Sequence, residues 1–564
     1  MDFKKDIALA LAKETGLAAE ELAAMLEIPP ETEMGDYALP CFKLARSMRK
    51  PPNAIAAELA GMEKPGCVRE IKATGGYLNF FLDKVNYAAS VLLEIEKEGE
   101  SYGGGDTGGG RTVLIDYSSI NIAKPFHIGH LLTTVIGHSL YRIYNFLGYR
   151  SVGINHLGDW GTQFGKLITA YKLWGSRAEV EDKGINEMLR LYVRFHDEAE
   201  KDEALEDSAR GWFKKIEDGD GEALEIFNWF KDVTLKEVQK VYDTLDIRFD
   251  SYAGESFYND KMQGVIDELK EKDLLRLSEG AYVVDLGEDI PPCIILKSDG
   301  ATLYSTRDLA AAFYRKKTYD FHKCLYVVAY QQSLHFKQVF KVIEKMGYSW
   351  AKDMEHIAFG MVSLEDGTLS TRKGKVVFLE DVLKKAVEKT LSIINEKNPG
   401  IENKEETARA IGIGAVVFHA LSSNRIKDMV FSWDRALNFD GETGPYVQYT
   451  HVRCNSVLKR AGSAYDGVPP DFVALDNEQA FAVVRLLYAF PQSVLDAAEK
   501  NEPSIVTRYL VDLSQAFNKY YFDCRIIEED RPDQTSARLV LTRSVRQVLK
   551  TGLFLIGIKA PEQM

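Results

Sequence analysis

Asp116-Tyr-Ser-Ser-Ile-Asn-Ile-Ala-Lys-Pro-Phe-His-Ile-Gly-His130 is the stretch on which the reading of this chain turns. It joins a short apolar run, Thr112–Tyr117, to a segment in which Leu132, Ile136, Leu140, Ile143 and Leu147 recur at helical spacing until Gly148. Ser151-Val-Gly-Ile-Asn155 then reads as a second strand. Strand, helix and strand in quick succession make a βαβ unit, the opening of a doubly wound parallel sheet. Where a strand's carboxyl end meets a helix amino terminus, free N–H groups and the positive dipole end favour phosphate. His127 and His130 are about one turn apart, so both imidazoles can face one ligand. Gly129 removes a side chain where a flat base or a phosphate must approach. Alone, the pair reads equally as surface histidines or as metal ligands. His138, His156 and Asp159 could add ligands, but HExxH is absent.

Outward from this stretch, Cys324–Ala329 resumes the sheet and a further β segment falls near His356–Val362. After Gly360–Gly367 comes Ser370-Thr-Arg-Lys-Gly-Lys375. Its cations Arg372, Lys373 and Lys375 could swing onto a triphosphate and neutralise charge on departing pyrophosphate. Residues from about 176 to 290 interrupt the sheet pattern with long acidic helices and read as an insertion. Residues 1 to about 100 form a first unit, with helical spacing at Ile7 and Leu11 and a strand at Tyr77–Leu82. GGGDTGGG at 103–110 lacks a following Gly-Lys-Ser/Thr and reads as a flexible linker. From about 400 onward the pattern is almost wholly helical.

The chain has 564 residues, enough for three to five domains at about 100–200 residues each. A net charge of -14 excludes a uniformly basic nucleic-acid coat, but not an enzyme with a local basic face. Arg409, Arg425, Lys427, Arg435, Arg453, Lys459 and Arg460 make the carboxyl region locally basic, whereas 196–226 is strongly acidic. Six cysteines, none within four residues of another, give neither a zinc knuckle nor a CxxC pair. No signal-peptide pattern opens the chain, and no run nears the roughly 18 apolar residues of a membrane span. A reduced, soluble, cytoplasmic protein is predicted, with no membrane partner and no metal centre of its own.

HIGH at 127–130 with a degenerate KMSKS-like loop at 369–375 resembles the class I aminoacyl-tRNA synthetases. Further blocks resemble the arginyl-tRNA synthetase family: LGDWGTQFGKL (157–167), GESFY (254–258), LYSTRDLAAA (303–312), QQSLHF (331–336), residues 422–453 and the closing GIKAPEQM. GDYALP (35–40) and GGYLNFFL (75–82) look like that family's added tRNA-contacting domain. The resemblance runs nearly end to end. It implies a multidomain α/β architecture: an α+β amino-terminal domain over 1–105, a Rossmann-like catalytic domain over 106–395 with its insertion, and an all-α anticodon-binding bundle over 396–564.

The resemblance also implies roles. His127 and His130 contact the ATP phosphates, Gly129 lies against the adenine, the backbone near Met361 and Val362 reads its edge, and Lys373 meets the phosphates. Asp116, Ser118 and Asn121 match the family's arginine pocket, with Tyr304, Asp308, Gln332 and Glu255 as later contacts. A guanidinium carries five donors and a permanent charge, so carboxylates such as Asp308 and Glu255 suit it independently of any family. For Tyr304 and Asp308, helix capping ahead of Leu309–Phe313 is the weaker alternative. The loop begins with Leu369 where the family motif has a lysine. Lys124 stands where the family places a compensating lysine, so Lys124, Arg372 and Lys373 share candidacy for pyrophosphate departure.

Asn79 and Phe81 sit where the family touches the tRNA elbow. Arg453 suits a phosphate contact, and Tyr446, Tyr449, Tyr520 and Tyr521 could stack on unpaired bases or simply pack a helix bundle. The implied reaction is arginine–tRNA ligation through an adenylate, with Mg-ATP as substrate, no tightly bound cofactor, tRNA-dependent activation and a monomeric state. A small-molecule adenylyltransferase would not need the helical carboxyl region. A non-catalytic tRNA binder would not need His127, Gly129, His130, Asp308 and Gln332. A metal-dependent hydrolase on the histidines is the remaining alternative.

Overall fold

The structure is a computed structural model that describes residues 2–122, 124, 126–364, 377–439 and 441–564. Twelve strands are described among these residues. β1 (Tyr37–Pro40), β2 (Val68–Thr74) and β3 (Tyr77–Leu82) form an antiparallel sheet in the order β1-β3-β2. The β2–β3 turn uses Gly75 at φ 58°, where a side chain would be strained. Leu78, Phe80 and Leu82 are buried, as are Phe3, Ile7 and Leu11 of the helix Phe3–Thr15. Asp2 caps that helix by accepting from Lys5 N at 3.0 Å, and Gly16 ends it at φ 70°.

Strands β4 (Thr112–Asp116) and β5 (Arg150–Ile154) pair in parallel, joined through the helix Leu131–Phe146. Valine, leucine and isoleucine fill β4 because it is covered on both faces. β9 (Lys323–Tyr326) pairs with its other edge, and β10 (Met354–His356) with β9, giving the parallel order β10-β9-β4-β5. The direction of winding reverses at β4, so the loops after β4 and β9 open a crevice at the sheet's carboxyl edge. Leu114, Val152, Ile154 and Tyr326 share one core with residues of the helices Met262–Glu271, Tyr304–Tyr319 and Ser333–Lys345.

Two sequence expectations change. The β segment expected near His356–Val362 divides into β10 and β11 (Val362–Leu364), which pairs with β12 (Met429–Phe431) in a separate parallel pair. The insertion is helical from Arg177 to Leu245, but its later part carries β6 (Leu275–Ser278) and β7 (Ala281–Val284), paired with β8 (Cys293–Leu296). Glu279 and Gly280, both at positive φ, make the two-residue turn between β6 and β7. That turn type favours Asn-Gly or Asp-Gly, so Glu-Gly gave a weak signal.

The glycine-rich 103–110 stretch is not a free linker. Gly105, Gly108 and Gly110 donate their N–H groups to the carbonyls of Phe146, Leu147 and Gly148. A Cβ on Gly108 would sit 2.2 Å from Tyr149 N. The glycines let the chain lie flat on the end of the Leu131–Phe146 helix.

The carboxyl region is helical as read: Lys404–Leu421, Gly444–Ala461, Glu478–Glu499, Ser504–Asp523 and Pro532–Leu555. The helix Glu478–Glu499 has the length and composition to cross a membrane, yet it holds Arg485 and Pro491 and buries Phe481, Leu487, Phe490 and Val494. The chain groups into two compact units. One comprises residues 1–102, 453–490 and 512–548; the other comprises 103–452, 491–511 and 549–564.

Candidate active site

The quoted stretch leaves β4 and enters the Leu131–Phe146 helix through one short turn, Ile128–His130. His127 precedes that turn, and its Nδ1 accepts from Gly129 N at 3.0 Å. His130 Nδ1 accepts in turn from His127 N at 3.2 Å. The two rings lie 4.0 Å apart between centroids, tilted by 36°. His130 Nδ1 also lies 3.3 Å from His127 O, to which it would donate in the other tautomer, so only for His127 does the accepting Nδ1 place the proton of the neutral ring on Nε2. Among the described residues neither Nε2 has a partner. Burial, then the nearby Lys124 charge, lowers the His127 pKa. Burial and the neighbouring His127 take His130 down to about 3, against an opposing backbone hydrogen bond. Both imidazoles are therefore uncharged at neutral pH, and His127 offers an Nε2–H donor.

Two backbone hydrogen bonds tie this turn to the segment after the cationic loop. Ile128 N donates to Val377 O at 3.0 Å, and Leu379 N donates to Phe126 O at 2.9 Å. The loop itself, Leu369–Lys375 with Arg372 and Lys373, lies outside the described residues. Lys124 is exposed. β11 packs against Ile128–His130. Its neighbour Met361 has both backbone groups engaged: N donates to Asp428 Oδ1 at 2.7 Å, and O accepts from Met429 N at 2.8 Å. Val362 pairs with Met429 in the β11–β12 ladder. A Cβ on Gly360 would lie 2.3 Å from Lys427 O, so only glycine fits this approach.

The predicted arginine pocket separates into used and open groups. Asp116 Oδ2 accepts from the guanidinium of the buried Arg315 at 2.8 Å, and its Oδ1 accepts from Ser119 Oγ at 2.7 Å. Ser118 is wholly buried, with its hydroxyl bonded to Thr134 Oγ1 at 2.7 Å and Tyr242 Oη at 3.0 Å. Ser119, one residue on, is partly exposed, and its Oγ also accepts from His156 N at 3.2 Å. Asn121 is exposed and pairs as an isolated bridge with Gly158.

Asp308 receives a 2.6 Å hydrogen bond from His335 Nε2, and His156 Nε2 lies 3.8 Å from its other oxygen. Burial would raise the Asp308 pKa, but the His335 hydrogen bond and the surrounding positive charges hold it below the usual carboxylate value. Tyr304 is exposed at the start of the helix Tyr304–Tyr319, with its ring 4.9 Å from that of His335. Gln332 is exposed at the start of the helix Ser333–Lys345. Burial raises the Glu255 pKa to about 7, with Arg307 opposing and Asp308 and Asp159 adding to the rise.

His156, Asp159, His335, Arg307 and Arg315 complete this polar cluster. Asp159 is fully buried, 2.5 Å from Lys231 Nζ, and accepts from both N and Oγ of Ser256. The sequence placed Asp159 and His156 only as metal candidates and flagged none of the other three for function. LYSTRDLAAA and QQSLHF do contain Arg307 and His335, and that was the available signal. Among the described residues no group of three or more His, Cys, Asp or Glu side chains is arranged to hold a metal ion.

Asn79 is buried in β3 with Phe81 two residues along the same strand face, partly exposed. Tyr449 is exposed on the helix Gly444–Ala461. The Arg453 guanidinium bonds Asn518 and lies 5.0 Å from the Tyr521 ring centre. Tyr520 is buried and packs the core instead of offering a stacking face.

A histidine pair at the switch point of a parallel sheet, beside a cluster of carboxylates, has the make-up of a nucleotide-dependent ligase core of the class I type. Family models match in order along the chain: the arginyl tRNA synthetase N-terminal domain over 1–82, the class I (R) tRNA synthetase catalytic domain over 93–433 and the DALR anticodon-binding domain over 447–564. Arginine–tRNA ligases of Alkaliphilus metalliredigens and Clostridioides difficile are each 55% identical to it, over 100% of both chains. The solved arginyl-tRNA synthetase of Thermus thermophilus superposes with a TM-score of 0.81 at 28% identity, covering 100% of this chain and 99% of that one. The chain belongs to the class I arginyl-tRNA synthetase family.

Proposed function

We infer that this chain joins arginine to the 3′ end of tRNA(Arg) at the expense of ATP. The arginine carboxylate attacks the α-phosphorus of Mg-ATP, pyrophosphate leaves, and the arginyl group passes from the adenylate to a terminal ribose hydroxyl. No protein nucleophile is required, so catalysis rests on positioning and on charge stabilisation. The observation that carries this reading is the pair of uncharged histidines, whose Nε2 atoms have no partner among the described residues, at the crevice that also holds Asp308 and Glu255.

In this reading His127 and His130 donate to phosphate oxygens as charge builds in the transition state, and Gly129 makes room for the adenine. With both backbone groups of Met361 engaged, the side of the adenine loop, including Val362, frames the base instead of reading it through those groups. Lys124, Arg372 and Lys373 share the neutralisation of pyrophosphate. Asp308, Glu255, Tyr304 and Gln332 surround the guanidinium end. Ser119 and Asn121 meet the α-amino and carboxyl end, with Asp116 acting through Ser119 and Ser118 supporting from the interior. Mg²⁺ arrives with ATP as part of the substrate.

Residues 1–105, 106–395 and 396–564 serve as elbow-contacting, catalytic and anticodon-binding parts. Asn79, Phe81, Arg453 and Tyr449 contact tRNA, and the protein works as a cytoplasmic monomer whose arginine activation needs bound tRNA. The test is ATP–pyrophosphate exchange with each of the twenty amino acids, with and without total tRNA. Exchange with arginine alone, and only when tRNA is present, is expected. Exchange with another amino acid overturns the pocket. Exchange with arginine in the absence of tRNA overturns only the tRNA requirement.

A further inference from the structure

Tyr242 lies on the insertion helix Gly221–Leu245, far in sequence from the histidine motif, and its side chain is 1% exposed. Its hydroxyl stands at the middle of a buried chain of hydrogen bonds. Asn155 Nδ2 donates to Tyr242 Oη at 2.7 Å, and Tyr242 Oη reaches Ser118 Oγ at 3.0 Å and Ser118 O at 3.2 Å. Thr134 Oγ1 donates to His130 O at 2.7 Å, so it accepts from Ser118 Oγ at 2.7 Å. The donors therefore run one way: Asn155, Tyr242, Ser118, Thr134, then the carbonyl of His130. Ser118 holds φ at 56°, a left-handed conformation that costs a non-glycine residue free energy unless its surroundings fix it. Thr133 Oγ1 accepts from Ser118 N at 3.0 Å and donates to Val327 O at 2.7 Å, which anchors the same turn from a second side. The Tyr242 ring also packs edge-on against Phe126, with centroids 5.6 Å apart, immediately before His127.

We propose that Tyr242 is a positioning residue for the amino-acid side of the site. By fixing Ser118 in its left-handed turn it aims Ser119 and Asn121 into the crevice. This rests on the arginine-activating reading of the same site. The turn reverses the chain between Asp116 and Ser119, so their hydrogen bond and the Ser119 contact to His156 N both depend on it. The Tyr242 side chain reaches the loop at the Ser118 turn through its hydroxyl and at Phe126 through its ring.

Tyr242→Phe keeps the ring against Phe126 and removes only the hydroxyl. In arginine-dependent ATP–pyrophosphate exchange at saturating tRNA, Y242F is expected to raise the KM for arginine about tenfold. The KM for ATP should stay within about twofold of the parent. Ser118→Gly supplies a residue that takes a left-handed φ without strain. If Tyr242 works through Ser118, adding Y242F to S118G changes the arginine KM by less than about threefold. Thr133→Val removes the second anchor of the turn and should repeat the selective loss for arginine, should Y242F prove too poorly folded to assay. An unchanged arginine KM in the assayable variant overturns the proposal, as does an equal rise in both KM values. An equal Y242F effect in parent and S118G backgrounds overturns it too. Absence of arginine-dependent exchange in the parent overturns the functional reading itself, which separates the two failures.

Discussion

At the scale of single residues, Glu255 carries a pH dependence that can be measured. Its carboxyl, pushed up to about 7 by burial, is largely protonated at pH 6 and largely ionised at pH 8. A guanidinium binds the ionised form, so the KM for arginine should fall about tenfold between those pH values. Glu255→Gln should flatten that profile at a uniformly high KM; a profile that stays steep assigns the titration elsewhere. The linkage runs the other way for stability. The native state keeps this proton longer than the unfolded chain, so the contribution is present below the ordinary value of 4.5 and lost as pH rises through 7. The sequence displayed His127, Gly129, His130, Asp308 and Gln332 by motif. It could not separate Ser118 from Ser119. A left-handed φ at one of two adjacent serines decides which hydroxyl points inward, and neither spacing nor composition encodes that angle.

At the scale of elements, the helix Leu131–Phe146 meets the strand end through a missing side chain. A Cβ on Gly137 would fall 2.2 Å from Tyr117 Cγ, so the helix backbone rests on the tyrosine ring. Gly137→Ala should therefore destabilise the catalytic unit by roughly 1–3 kcal/mol through overpacking, despite alanine's better helix propensity. A lower urea midpoint with unchanged slope checks this; an unchanged or raised midpoint means that the strand and helix separate at no cost. The periodicity that announced this helix also announced β4, β5 and the carboxyl helices, because buried faces impose their spacing on the sequence. The β6–β7 hairpin escaped notice because its Glu-Gly turn lacks the usual residues. The glycine-rich stretch misled for a related reason. Glycine marks both free linkers and tight backbone approaches, and only the carbonyls of Phe146, Leu147 and Gly148 distinguish them.

At the scale of the whole molecule, the proposed function gives tRNA recognition to residues in sequence blocks other than the histidine motif, in line with the DALR anticodon-binding match over 447–564. Tyr449 is exposed on its helix, and in the proposed function its ring stacks on an unpaired base. Stacking contributes about 1–3 kcal/mol per base, so Tyr449→Ala should raise the KM for tRNA(Arg) by roughly 5- to 150-fold. The KM for ATP, measured at saturating tRNA, should not change. A tRNA KM within twofold of the parent would assign this ring to packing. Tyr520, another aromatic the sequence offered for stacking, already shows that alternative, since it is buried. The sequence by itself determined the parallel-sheet core, the helical carboxyl region, the histidine motif and the family. These are local patterns, set by periodic burial and by residue types that the chemistry requires at fixed spacing. Only the tertiary structure decided which polar groups are spent and which are open: Asp116 on Arg315, Ser118 on Thr134 and Tyr242, and the Nε2 of His127 left to donate. Partners that meet from distant parts of a chain are chosen by packing, and packing leaves no periodic trace in the sequence.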